Sequence, residues 1–228
     1  GPDPDKIFCT EIFNNSGSVR TLGYGTTGTV GLYDLNANGH ADLVIGDATG
    51  HIKAYDAQYN TLIWDQLADF GYQIRSSPVI GEIDPNYLGW EISFGNNSPK
   101  IHLRQGPNGN TVGDWPDTIT GTVITSPAIG HINNDNNLDV MTATEGFYLY
   151  AYSYDKSKIA PYPLPFYGSL SSPVLADING DRKNEVVIAT RDGYLHILKN
   201  TNSQVMQYSV EWPQFHHDYQ HTGVFGGP

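Results

Sequence analysis

In the stretch DINGDRKNE, Asp177, Asn179, Asp181 and Glu185 occupy the first, third, fifth and ninth positions. The stretch DLNANGHAD places Asp34, Asn36, Asn38 and Asp42 at the same positions, with Gly39 where a sharp turn is needed. In a compact loop this spacing lets side-chain oxygens converge. It also leaves room for a backbone carbonyl near the seventh residue, here Lys183 or His40. Calcium suits such a set because it accepts about six to eight oxygens in flexible geometry, whereas magnesium asks for a tighter octahedron. The competing reading is an Asx-rich turn, in which the same side chains accept hydrogen bonds from nearby backbone amides.

Two further stretches carry the pattern less completely. Asn133, Asp135 and Asp139 hold the later positions of one, but His131 stands where the first acid would be, and a neutral imidazole is a poor calcium ligand. Glu82, Asp84, Asn86 and Glu91 form the other, with an added residue and Pro85 disturbing the register. An ion in any of these loops is expected to be structural, offsetting the mutual repulsion of the carboxylates. A fully ligated loop leaves no open position for catalysis.

The elements that position these loops are written in repeats. SSPVIGEID begins at 76, TSPAIGHIN at 125 and SSPVLADIN at 171, and a more divergent copy, TGTVGLYDLN, begins at 27. Their corresponding polar positions, Asp34, Glu82, His131 and Asp177, are separated by 48, 49 and 46 residues. Each unit runs from an apolar strand through the polar loop to a second strand (DLVIGD, EISFGN, DVMTAT, EVVIAT), then a turn and a third strand (HIKAYDA, KIHLRQG, YLYAYSY, YLHILKN). A fourth strand is expected around LIWDQL, VGDWPDTI, PYPLPFYG and VMQYSVEW. Short alternating apolar runs bounded by Gly, Asn and Asp fit strands, and no segment sustains a helical period.

Four antiparallel strands in units of roughly 40 to 50 residues predict an all-β propeller. The expected blades are about 27–70, 74–120, 123–168 and 169–212, in a single domain. The small residues of SSPV would lie near the central channel. Residues 6–30 align without a gap on 148–172, so 6–26 reads as the third and fourth strands of a half blade. A half blade exposes an edge. The tail 212–228 is expected to cover it and close a ring of about five blades; otherwise a second molecule supplies the strand and the chain self-associates.

Composition narrows the function. Asp and Glu number 24 against 12 Lys and Arg, a net charge of −12, which repels a phosphate backbone and makes nucleic acid a poor partner. Cys9 is the single cysteine, so no intrachain disulfide and no thiolate cluster can form. It lies on an apolar-alternating strand and is expected to be buried. No run of about 18 apolar residues is present, so no membrane insertion is expected.

Other constellations carry less chemistry. His216, His217, Asp218 and His221 lie close together, but without the Glu of an HExxH site, and a tail that packs through Trp212 and Phe215 explains them without metal. Ser76, Ser77, Ser171 and Ser172 recur with the repeat, so a structural role explains them. No nucleophile–base pair, phosphate loop or separated carboxylate pair stands out, and no catalytic residue is expected. Trp115, Phe147, Tyr148, Tyr162, Phe166 and Tyr167 fall in or near loops or blade edges, where packing between blades competes with sugar stacking. Tyr87 and Trp90, in the irregular second loop, are the candidate contacts to a sugar or protein.

The combination of Ser-Pro-Val/Ala, D-x-N-x-D/N, a further acid, an apolar strand and a Gly turn resembles the FG-GAP or VCBS repeat family of integrin-like propellers across nearly the whole chain. GHIKAYDAQYNTLIWD also resembles the quinoprotein-type propeller repeat, and WPQFHHDYQHTG resembles a segment that ends many secreted bacterial propellers. The resemblance implies a non-catalytic, calcium-stabilised propeller outside the cell or on its surface, serving adhesion or recognition of a glycan or protein surface. Two alternatives stay open: the propeller portion of a carbohydrate-active or quinone-dependent enzyme, and a subunit of an extracellular assembly joined through the half blade.

Overall fold

The computed structural model describes residues 6–10, 17–21, 25–167 and 171–199, the first two ranges as backbone only. All regular structure in them is β. Strands β1 (Lys6–Thr10) and β2 (Gly17–Thr21) form a two-stranded antiparallel sheet. The next sheet contains β3 (Gly31–Tyr33), β4 (Asp42–Gly46), β5 (His51–Asp56) and β6 (Thr61–Leu67), paired in chain order. The third contains β7 (Val79–Gly81), β8 (Glu91–Gly95), β9 (Lys100–Gln105) and β10 (Asp117–Thr118), and the fourth β11 (Ala128–Gly130), β12 (Asp139–Ala143), β13 (Tyr148–Tyr152) and β14 (Leu164–Pro165), each again a meander. The last has three described strands, β15 (Val174–Ala176), β16 (Glu185–Ala189) and β17 (Leu195–Leu198). Among the described residues no helix is long and apolar enough to cross a membrane.

The first strands neighbour one another in sequence, β3 against β7, β7 against β11 and β11 against β15. Each sheet therefore radiates from a common axis with its first strand innermost, and the fold is a β-propeller. Burial follows from this stacking. β8 and β12 are buried along their whole length because a neighbouring sheet covers each face, whereas β6 alternates toward solvent. Val79, Ile80, Ile92, Phe94, Ile101, Ile129 and Val140 belong to one apolar cluster that runs through several blades, and Leu149, Ala151, Leu175, Val186 and Ile188 continue the packing in a second.

The repeated Ser-Ser/Thr-Ser step has two jobs. Its first hydroxyl ties the inner strand to its own blade: Ser76 Oγ accepts the Gly95 N–H and donates to the Gly95 carbonyl, both at 2.8 Å, and Ser171 does the same with Ala189 at 3.1 and 3.0 Å. Thr125 donates to the Ala143 carbonyl at 3.1 Å. The second hydroxyl ties blade to blade. Thr29 N–H donates to Ser77 Oγ at 3.0 Å, Ser77 N–H to Ser126 Oγ at 2.9 Å, and Ser126 N–H to Ser172 Oγ at 3.0 Å. The structural reading of these serines is thus the one the geometry supports.

Further out, side chains pin the blades. Trp64 Nε1 donates to the Gly106 carbonyl at 2.8 Å, Lys100 pairs with Asp69 at 2.9 Å, and Tyr152 donates its phenol to Asp117 at 2.8 Å, with Lys158 at 3.0 Å from the same carboxylate. Trp115, expected near a loop or edge, is buried at 4 % exposure with its ring edge-on to Tyr152 at 5.4 Å. Phe147 and Tyr167 are exposed, while Tyr148, Tyr162 and Phe166 are partly buried against the apolar clusters. The expected fourth strand at VMQYSVEW, the histidine-rich tail with Trp212 and Phe215, and the side chain of Cys9 lie outside the described residues.

Candidate cation-binding loops

Each acid loop connects the innermost strand of a blade to its second strand, so the topology brings all of them to one end of the propeller. A common closure defines them. The last acid accepts the N–H of the second loop residue: Leu35 donates to Asp42 Oδ2 at 2.8 Å, Ile132 to Asp139 Oδ2 at 2.7 Å, Ile178 to Glu185 Oε2 at 3.0 Å, and Ile83 to Glu91 Oε2 at 2.7 Å. The second loop keeps this closure despite its extra residue.

The middle positions form successive Asx turns. Asn36 Oδ1 accepts the Asn38 N–H and Asn38 Oδ1 the His40 N–H, at 3.1 and 2.8 Å. Asn133 and Asp135 repeat this toward Asp135 and Asn137, both at 2.8 Å, and Asn179 and Asp181 toward Asp181 and Lys183, at 2.8 and 3.0 Å. The first acid then decides the loop's curvature. Asp34 takes the N–H groups of Asn38 and Gly39, and Asp177 those of Gly180 and Arg182. Both loops hold their fourth and sixth residues at positive φ, Ala37 and Gly39 in one, Gly180 and Arg182 in the other. His131 has no carboxylate to offer, and no positive φ occurs between it and Asp139.

The carboxylates that face inward carry the electrostatic load. Burial raises the Asp42 carboxyl, with the charges of Asp56 and Asp34 adding to the effect against the backbone N–H groups that lower it. Burial pushes Glu91 up to about 7 despite its two backbone donors, Ile83 and Asp84, with Asp84 and Glu82 adding repulsion. Asp139 also rises to about 7 through burial, opposed by the N–H groups of Ile132 and Asn133. Glu91 Oε1 is buried with no donor among the described residues. In the other loops the amides fill the equivalent space: Asn36 Nδ2 faces Asp42 and Asp56, Asn38 Nδ2 faces Asp56 at 3.0 Å, Asn133 Nδ2 faces Asp135 and Asp139, and Asn179 Nδ2 faces Asp181 and Glu185.

Asp56 is a member of the first loop that sequence spacing does not reveal. It ends β5, directly across from Asp42 in the ladder. Serine takes the equivalent place in the third blade, where Ser153 Oγ donates to Asp135 at 3.3 Å. Among the described residues no three His, Cys, Asp or Glu side chains converge into a metal cage on their own. Amide and backbone oxygens would have to complete one, as an oxygen-rich calcium site allows.

The second loop also carries Tyr87 and Trp90. Tyr87 Oη accepts the Gly113 N–H at 2.8 Å, and the Trp90 ring lies 4.8 Å from that of Tyr33 in the preceding blade. Both rings are half-buried and brace the loop against its neighbours. Between the second and third loops, a cleft of about 250 Å³ is lined by Glu82, Ile83, Pro85, His131, Asn136, Asn137 and Leu138.

No protein-family model matches the sequence, and no curated protein matches it. Solved structures do. Sqt1 from Saccharomyces cerevisiae aligns at a TM-score of 0.67 and 12% identity, covering 87% of this chain and 54% of that one. The quinohemoprotein alcohol dehydrogenase from Comamonas testosteroni aligns at 0.56 and 14% identity, covering 92% and 42%. BBS1N, crystallised in complex with ARL6DN, aligns at 0.58 and 14% identity, covering 93% and 63%. The chain spans roughly half the length of these structures. Identities this low carry the propeller fold and nothing of their activities.

Proposed function

We propose that this chain is a non-catalytic recognition propeller of the FG-GAP or VCBS type, working outside the cell, with calcium bracing its loop end and a glycan or protein surface as its partner. The observation that carries the reading is Glu91: a carboxylate oxygen in an acid loop, buried and without a donor among the described residues, which a cation would satisfy. Asp84 and Glu82 in the same loop supply further oxygens, and Asn86 an amide. In the first loop Asp34, Asp42 and Asp56 with Asn36 and Asn38 would hold the ion; in the fourth, Asp177, Asn179, Asp181 and Glu185. The third loop, lacking its first acid, offers Asn133, Asp135 and Asp139. The ion's contribution is charge neutralisation and cross-linking of inner strand to loop. The partner would meet the cleft between the second and third loops, which has Glu82 and His131 on its walls, while Tyr87 and Trp90 brace the second loop.

A panel of immobilised polysaccharides and surface proteins, probed in calcium and again in chelator, tests the proposal. Binding that requires calcium and weakens about tenfold or more in Glu91→Gln is the expected result. Binding unchanged by chelator, or turnover of a polysaccharide by the chain, would overturn it.

A further inference from the structure

The opposite end of the propeller, where the inner strands begin, is lined by hydroxyls. There the residues that enter the inner strands surround a cavity of about 450 Å³, within the range of small-molecule pockets. Its lining is Thr27, Thr29, Ser77, Ser126, Ser172 and Arg75, with Ile124, Thr125 and Ser171 completing the wall. The hydrogen bonds that join the blades fix what these hydroxyls can do. Ser77, Ser126 and Ser172 each accept a backbone N–H from the preceding blade, and Ser77 also accepts from Thr29 Oγ1 at 2.6 Å. Each of these hydroxyls keeps its own proton to give, and no acceptor among the described residues takes it. Accepting one hydrogen bond polarises a hydroxyl and strengthens its donation.

Arg75 completes the set. It is exposed at the cavity wall, and among the described residues no carboxylate pairs with it, in a chain whose net charge is −12. A guanidinium with a fork of N–H donors next to several hydroxyl donors matches a carboxylate on a hydroxyl-rich body. Single positive charge within a negative molecule favours a mono-anion over a polyphosphate or sulfated polymer. The ring of hydroxyls calls for a hydroxyl-bearing body, which a fatty or simple aromatic acid lacks.

We infer that the axial cavity binds a small polyhydroxylated carboxylate, such as a uronic acid, with Arg75 on the carboxylate and Ser77, Ser126 and Ser172 as hydroxyl donors. The site shares no residue with the acid loops, so it stands or falls separately from the calcium reading. D-glucuronate titrated by calorimetry or ligand-observed NMR tests it, with glucose as the neutral control and a glucuronate-terminated oligosaccharide to separate a free acid from a glycan end. Glucuronate should bind at least tenfold more tightly than glucose, in chelator as in calcium. Arg75→Gln, an exposed substitution outside the core, should remove that preference, while Arg75→Lys retains part of it. Glucuronate binding that is absent, equal to that of glucose, or indifferent to Arg75→Gln would overturn the assignment. Tighter binding of the oligosaccharide than of free glucuronate, with the same dependence on Arg75, would place the ligand at a chain terminus.

Discussion

Glu91 and Asp139 are where single residues make the account measurable. Both are fully buried acids whose carboxyls sit near 7 when no cation is present. Their unfolded counterparts titrate near 4 to 4.5. The folded state therefore binds protons that the unfolded state releases, and the stability this gives is fully present below the unfolded value and lost as pH rises through about 7. Calcium-free protein should lose on the order of 2–3 kcal/mol per group between pH 5 and pH 8, read by urea melts. Glu91→Gln should flatten part of that slope. A rise in stability with pH over this window in chelator would contradict the burial of these acids. His102 shows the same environment from the cationic side: stacked on Phe94 at 4.9 Å with neither ring nitrogen partnered among the described residues, it is driven down to about 3 by burial, with Arg104 adding to the effect, and stays neutral. Residue chemistry was only partly legible. The spacing of acids and amides located four loops, but Asp56 escaped because its position on β5 is not repeated: Gln105 and Ser153 face the corresponding acids. Arg75 escaped for the same reason, since Thr27 and Ile124 precede the matching steps in neighbouring copies.

At the scale of elements, the contact between one blade's second strand and the segment entering the next is set by residues with no side chain to spare. Gly95 ends β8 against Val123, and Gly46 ends β4 against Ile74; a Cβ at either would lie inside the contact distance of those side chains. Gly95→Ala is expected to cost about 1–3 kcal/mol, the usual penalty for overpacking a tight contact. Thermal melts check it, and a neutral result would show that the blades can separate without loss. The strands were readable because the SSPV, acid-loop and apolar-run order recurs in register. Their outer partners were less so. The fourth strands shrink to two residues each at Asp117–Thr118 and Leu164–Pro165, where Trp115 and proline-rich stretches replace an alternating run with side-chain packing. The hydroxyl ladder, by contrast, was visible as a repeat, while its direction from blade to blade is set by the packing of the sheets.

For the whole molecule, the two ends differ because every described innermost strand runs the same way. Each begins at the hydroxyl-lined cavity and finishes in an acid loop. Part of the net charge of −12 lies in those loops, so a cation bound there would stabilise the folded state. β1 and β2 form a two-stranded antiparallel sheet, and the tail expected to join it lies outside the described residues. The most direct measurement is the melting temperature of the chain at pH 7.5 in millimolar calcium against chelator, with magnesium as the control. A ligand at about 100 times its Kd stabilises the folded state by about 2.7 kcal/mol per site, so calcium should raise the melting temperature by several degrees, with magnesium far less effective. Superimposable melts in calcium and chelator would contradict the account and leave the acid loops as hydrogen-bonded turns alone.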